Sequence, residues 1–368
     1  MSLKEQNAAE RQQSPPVVLE YGYSHWTISS QGAADLYAAG ARLWTKDSLR
    51  DIEQQLTEFK IRSSFAIRRI DGTIIYIKNP MYGVTEPIWK PIVEFRNYWR
   101  LVKSQPDGPP ETYYCTYLIE WFNQIGTQFY GPIEGFEAVF QQIKKSWNNS
   151  ATRQLLQDRI RALIHTSSDC QIIKVICFGL GDISVRPPSW WRIKNRELEN
   201  PDRDTVMVEA SMLQHCAALT IVDALRQYYL EKENSSGNTT IIRLLTQDPK
   251  YTEQTRECLR ANGFEVVGPA GAGGFAEVDN ETVVFSAFAT APIKQIIADL
   301  ARPVLFIGSF PLEDFDIRMK PSPDAESPRT REMWKSYAKS DFPVAGEEIP
   351  SMASLHKLSI CARNAKVD

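Results

Sequence analysis

Histidine is scarce in this chain. There are four in 368 residues, widely spread, so a zinc-type metal centre is not expected. The six cysteines form no Cys-x-x-Cys pair, and Cys177 and Cys216 lie inside apolar runs, which points to reduced, mostly buried thiols rather than a metal knuckle or a disulfide framework. No run of about 18 apolar residues occurs, so no membrane span and no membrane partner are expected. The opening MSLKEQNAAERQQSPP is polar and lacks the apolar segment of a signal peptide, giving a cytoplasmic expectation. An excess of positive charge is also missing. The net charge of −3 argues against a globally basic DNA binder, although it leaves room for a local basic patch.

What is present is a well-populated core. The chain is 43% hydrophobic with nine tryptophans, enough for one large domain or two medium ones. Residues 1–16 are expected to be a disordered tail. Residues 17–110 form an α+β region, in which Thr45 precedes a short amphipathic helix carrying Leu49, Ile52 and Leu56, and Asp71-Gly72 joins two strands as a hairpin. Residues 111–167 show apolar positions at three and four spacing and are expected to be helical throughout, starting with TYYCTYLIEWFNQI. From residue 168 to 312, apolar strands alternate with helices. That is the signature of an α/β, Rossmann-like parallel sheet with helices on both faces, here with an N-terminal α+β extension. Residues 313–368 make a C-terminal extension with one helix expected over SPRTREMWKSYAK.

The stretch KVICFGLGDIS (174–184) raises the question of ligand. A strand runs into Gly179-Leu180-Gly181, as in a dinucleotide loop. The third glycine of G-x-G-x-x-G is absent, however, and Pro187-Pro188 delay the next helix to about Thr205. With no helix N-terminus against the loop, the basis for holding a pyrophosphate fails. Neither NAD nor a flavin is expected, and no other cofactor. A methyl-donor site, with Asp248 as the acid after the second strand, is a further alternative. In open parallel sheets, ligands bind outside the carboxyl ends of the strands. Asp182, Ser184, Asp248, Ser286, Thr290 and Ser309 all fall at such ends.

The insertion after this loop interleaves Arg186, Arg192, Lys194 and Arg196 with Trp190 and Trp191. Cations beside stacking platforms suit a phosphate backbone with unstacked bases, or else a solvated loop pinned by two tryptophans. In the next helix Gln214 falls on the arc of Ala210, Leu213, Ala217, Ile221 and Leu225, with His215 about 100° round. A hydrogen-bonded structural pair and a functional pair are both open there.

The run ICFGLGDIS, the Gln214-His215 pair, LTQDPKYTEQTRECLRANGFEVV, FSAFATAP and LFIGSF together resemble the sensitivity-to-red-light-reduced (SRR-like) domain, over roughly residues 170–310. LYAAGARLWTKDSLRDIEQQL resembles the N-terminal extension of fungal members. The resemblance implies a Rossmann-like fold. For the founding plant members it implies a regulatory role in light and clock signalling. For a fungal branch it implies synthesis of arginine-containing cyclodipeptides from aminoacyl-tRNAs.

Two functions follow. As a cyclodipeptide synthase the chain would draw arginyl and a second aminoacyl group from charged tRNAs. Ser184 and Ser286 are then candidate nucleophiles and His215 a candidate base. Asp182, Glu209 and Asp248 are carboxylates for the guanidinium. Gly179, Gly181, Gln214 and Thr290 complete the substrate pocket, and the 186–196 patch would meet tRNA. As a regulatory or ligand-binding module the chain would share the fold without depending on Ser184 or His215.

Overall fold

A computed structural model describes residues 25–102, 108–124, 131–166, 171–187, 206–233, 241–310, 323–346 and 350–364. Its centre is a seven-stranded sheet. Strands β5 (Lys174–Phe178), β6 (Arg243–Gln247), β7 (Glu265–Val266), β8 (Thr282–Ser286) and β9 (Leu305–Ser309) pair in parallel, and β10 (Tyr337–Asp341) and β11 (Leu358–Arg363) add two antiparallel strands. The spatial order is β10-β11-β9-β8-β5-β6-β7. All five residues of β5 are buried, which explains its continuous apolar run: a parallel strand covered on both faces has no solvent side to mark with polar residues.

Alternation along the strands divides the interior in two. Val175, Cys177, Val283, Phe285, Leu305 and Ile307 enter one core with helices α4 (Phe136–Asn148), α5 (Ala151–Thr166), α6 (Val206–Glu233) and α7 (Glu253–Ala261). Ile176, Phe178, Val284 and Phe306 enter the other, with α8 (Gly273–Ala276), α9 (Ile293–Leu300) and α10 (Pro328–Trp334). The N-terminal region belongs to this second core. Trp44, Leu49, Ile52 and Phe65 are almost fully hidden in it.

That region holds α1 (His25–Ala38), α2 (Lys46–Thr57), the hairpin of β1 (Ser64–Arg68) and β2 (Ile74–Lys78), β3 (Trp89–Phe95), α3 (Tyr98–Val102) and β4 (Tyr117–Asn123). Thr45 caps α2 through a reciprocal pair with Ser48: its Oγ1 accepts from the Ser48 amide at 3.1 Å, and the Ser48 Oγ accepts from the Thr45 amide at 2.8 Å. The expected Asp71-Gly72 hairpin is formed, with Arg68 opposite Ile74 and Gly72 at φ 85°.

Two sequence expectations are corrected here. The TYYCTYLIEWFNQI segment is not helical: Tyr117–Asn123 is strand β4, paired antiparallel with β3 from Phe95↔Tyr117 to Trp89↔Asn123. Tyr, Ile, Trp and Phe are strand formers, and their packing against β3 decides where the spacing was ambiguous. The C-terminal helix stops at Trp334, and YAKSD becomes β10 because β11 offers an unpaired edge.

The C-terminal segment is held on α9 by buried charge. The Lys294 ammonium lies 2.8 Å from Glu326, whose other oxygen accepts from the Trp334 indole at 2.8 Å, while the Asp324 carboxylate accepts from the Lys294 amide at 2.9 Å. Burial, opposed by the Lys294 charge, pushes the Asp324 carboxyl up from 3.8 to about 6. A raised folded-state value means stability that is complete below the unfolded value and lost as pH rises through about 6. Asp324→Asn keeps the acceptor and removes the charge. It is expected to raise stability by ~1–2 kcal/mol at pH 7.5 and by nothing at pH 4, read from paired thermal melts.

Candidate functional site

The chain leaves β5 for β6 and β7 on one side, then returns to place β8 on the other side of β5. The order therefore reverses between β5 and β8. In a doubly wound sheet, the crevice outside the carboxyl ends at such a reversal is where ligands bind. Here its walls are the loop after β5, carrying Gly179 and Gly181, and the loop after β8, carrying the exposed Phe288 and Thr290.

The two glycines have a steric reason. Gly179 has φ 63°, and a Cβ there would sit 2.9 Å from the Ala289 Cβ. Gly181 has φ 86°, and a Cβ there would meet the Ser211 hydroxyl at 2.5 Å. The loop thus turns in the left-handed region while touching the β8 loop on one side and α6 on the other. α6 is described from Val206 and meets Gly181 at Ser211 in its second turn, while Thr252, the N-cap of α7, donates its amide to Asp182.

Beside this crevice, at the ends of β5 and β6, stand two carboxylates. Asp182 accepts from the Ser184 amide at 2.7 Å and the Ser184 hydroxyl at 2.9 Å through one oxygen, and from the Thr252 amide at 2.6 Å through the other. Ser184 also meets the Thr252 hydroxyl at 2.6 Å, and Thr252 caps α7 by accepting from Thr255. Asp248 accepts from the Gly181 amide at 3.2 Å and the Lys250 amide at 3.0 Å. Burial raises its carboxyl above the ordinary value. The negative charge of Asp182 adds to that shift, and the two amides oppose it.

His215 lies behind it, wholly enclosed. Its Nδ1 is 2.7 Å from the Ser211 carbonyl, which can only accept, so Nδ1 carries the proton. Nε2 then accepts from the Tyr251 hydroxyl at 2.9 Å, and that oxygen accepts in turn from Thr246 Oγ1 at 2.9 Å. This chain ties α6 to β6 and to the start of α7. Burial drives the imidazole down to about 4 and the Tyr251 phenol well above its ordinary value, so both are neutral at neutral pH.

These placements change several expectations. His215 is wholly enclosed and both ring nitrogens are hydrogen-bonded, which argues against it as the base; desolvation and two partners make it a clamp. Ser184 is 3% exposed and committed to Asp182 and Thr252, which argues against it as a free nucleophile. Ser286 does not join Ser184 and His215. By strand alternation it points with Val284 into the second core, whereas α6 covers the first. Gln214 is not the hydrogen-bonded partner of His215. Gln214 and Ser286 are each 5% exposed and neither side chain hydrogen-bonds to any described residue. Asp248 accepts one backbone amide on each oxygen, which leaves a lone pair on each for a further donor.

Glu209 lies partly buried in the first turn of α6, and Arg186 is exposed. Trp190, Trp191, Arg192, Lys194 and Arg196 lie outside the described residues. Tyr251, Thr246 and Thr252 were missed. Of these, only Thr252 carries a sequence signal, as a threonine just before a helical run that opens on Glu253.

A mostly parallel sheet with helices on both faces defines a Rossmann-like α/β domain. Residues 141–356, more than half of the chain, match the SRR1 domain, and the chain belongs to that family. The match runs wider than the 168–312 core, taking in most of α4 as well as β10 and the segment leading to β11. Neither curated proteins nor solved structures give a match. Among the described residues no helix is long and apolar enough to cross a membrane, and no cluster of three or more His, Cys, Asp or Glu could hold a metal ion. Five cysteines are free and buried; Cys170 lies outside the described residues.

Proposed function

We propose that the chain is a tRNA-dependent cyclodipeptide synthase that joins arginine from arginyl-tRNA with a second aminoacyl group into a diketopiperazine. The observation that carries this reading is the pairing of Asp182 and Asp248 at one sheet edge, where the second carboxyl is lifted by burial and by the charge of the first. A guanidinium stays charged at any working pH and, once desolvated, calls for carboxylates. It would offset the burial, and with it the Asp182 charge, that raise the Asp248 carboxyl.

Both substrates arrive as esters. Attack of each α-amine on the other residue's activated carbonyl forms two amides and releases two tRNA hydroxyls, so no nucleotide loop is required. If one residue is first held by the protein, Ser286 is the hydroxyl of choice, since Ser184 is already engaged. Gln214 supplies an amide that hydrogen-bonds to no described residue. Arg186, with the basic and tryptophan-bearing stretch 190–196, is assigned to the tRNA backbone.

A second reading, a non-catalytic regulatory module, is favoured by one fact: two of the three residues first picked for catalysis, Ser184 and His215, serve the fold. Mass spectrometry of extracts from a heterologous host separates the two. The synthase reading expects an arginine-containing diketopiperazine absent from the empty host. A folded, well-expressed chain that yields none would leave the regulatory reading.

A further inference from the structure

The glycine-rich loop PAGAGGF, after β7, holds an anion that belongs to the chain itself. The Glu53 carboxylate of α2 accepts from the amides of Ala270 at 2.7 Å, Ala272 at 2.9 Å and Gly273 at 2.8 Å. The loop is pre-formed from within. The Gln247 side chain accepts from the Gly274 amide at 2.6 Å and donates to the Gly271 carbonyl at 2.9 Å. It lies so close that a Cβ on Gly268, at φ 58°, would fall 1.8 Å from its oxygen. Successive backbone N–H groups converging on one point make a concave receptor for oxyanions, whatever the side chains. The Lys90 ammonium donates to the Pro269 carbonyl at 2.6 Å, which adds a cation at the rim.

The receptor and its occupant come from different parts of the chain. The loop falls inside the family-matched residues 141–356, and Glu53 falls outside them. We propose that loop 268–274 is an oxyanion-binding site of the SRR1 domain, taking a carboxylate, and that Glu53 is its tethered occupant. The site adjoins the crevice edge: a Cβ on Gly271 would lie 3.3 Å from Pro249, the residue after Asp248. A free carboxylate at the loop and the seating of α2 therefore exclude one another, and by linkage each weakens the other.

Chemical rescue tests this. Glu53→Ala in the full chain is expected to lower the melting temperature by roughly 5 °C or more, since charge-assisted bonds to three amides are lost. Sodium formate or acetate should restore it saturably, sodium chloride at equal ionic strength should not, and the wild type should respond to neither beyond the salt effect. If Glu53→Ala does not fold, Glu53→Gln, which keeps one acceptor, takes the same titration with the urea midpoint as readout. Exchange of the Ala270, Ala272 and Gly273 amides, fast in the variant and slowed by formate, would locate the rescue. A variant as stable as wild type, or a loss of stability that no carboxylate restores, overturns the proposal.

Discussion

Asp248→Asn is expected to fold normally and yet to cut any arginine-containing product about 10- to 100-fold, the equivalent of one lost charge-assisted bond to a guanidinium at ~1.5–3 kcal/mol. The fold tolerates the change because the carboxyl is already lifted by burial and by Asp182, so a neutral amide relieves a cost even as one of its two amide contacts is lost. Asp182→Asn differs. Its oxygens accept three bonds, from Ser184 twice and from Thr252, and an amide NH2 must face at least one donor. About 1–3 kcal/mol of stability should go with the product. Product loss without a change in melting temperature at Asp248 is thus the informative result. Full activity in both folded variants would remove the arginine pocket and favour the regulatory reading.

The parallel sheet was legible in the sequence because each of its longer strands is a short apolar run bounded by turn residues, and α6, α7 and α9 follow them as separate helical runs; the four-residue α8 lies inside what reads as a glycine-rich loop. β4 was not, since Tyr117, Leu118, Trp121 and Phe122 satisfy a three-and-four spacing as readily as an alternation, and only the presence of β3 chooses between them. The crevice edge was legible in part. Gly179, Gly181, Asp182 and Asp248 lie together as the strand-end rule requires. What sequence could not show is which polar groups are already spent. Ser184 and His215 look reactive as letters, but their partners, Thr252 and Tyr251, are 68 and 36 residues away. The same blindness covers Glu53, 217 residues before Ala270. A carboxylate on a helix surface gives no sign that a distant loop will close on it.

His215 sets the second large effect, on acid stability. Its imidazole is held down to about 4, against 6.5 in an unfolded chain, because burial outweighs the Ser211 carbonyl and the nearby Asp182 charge that favour the cation. The unfolded chain therefore takes up a proton first. The stabilisation is complete above about 6.5 and is lost as pH falls from there through about 4, with a total of the order of 3 kcal/mol. Asp248, Asp299 and Asp324 have raised carboxyls and act in the opposite sense, so the wild-type profile alone mixes the two. The comparison with His215→Gln isolates the histidine. The variant should be the less stable at pH 7.5, having lost the Ser211–His215–Tyr251 chain, and its deficit should shrink by about 3 kcal/mol between pH 7 and pH 4. Urea melts across that range read the difference. Parallel curves would mean that His215 is charged in the folded state or reaches water, and would return it to the list of candidate bases at the crevice.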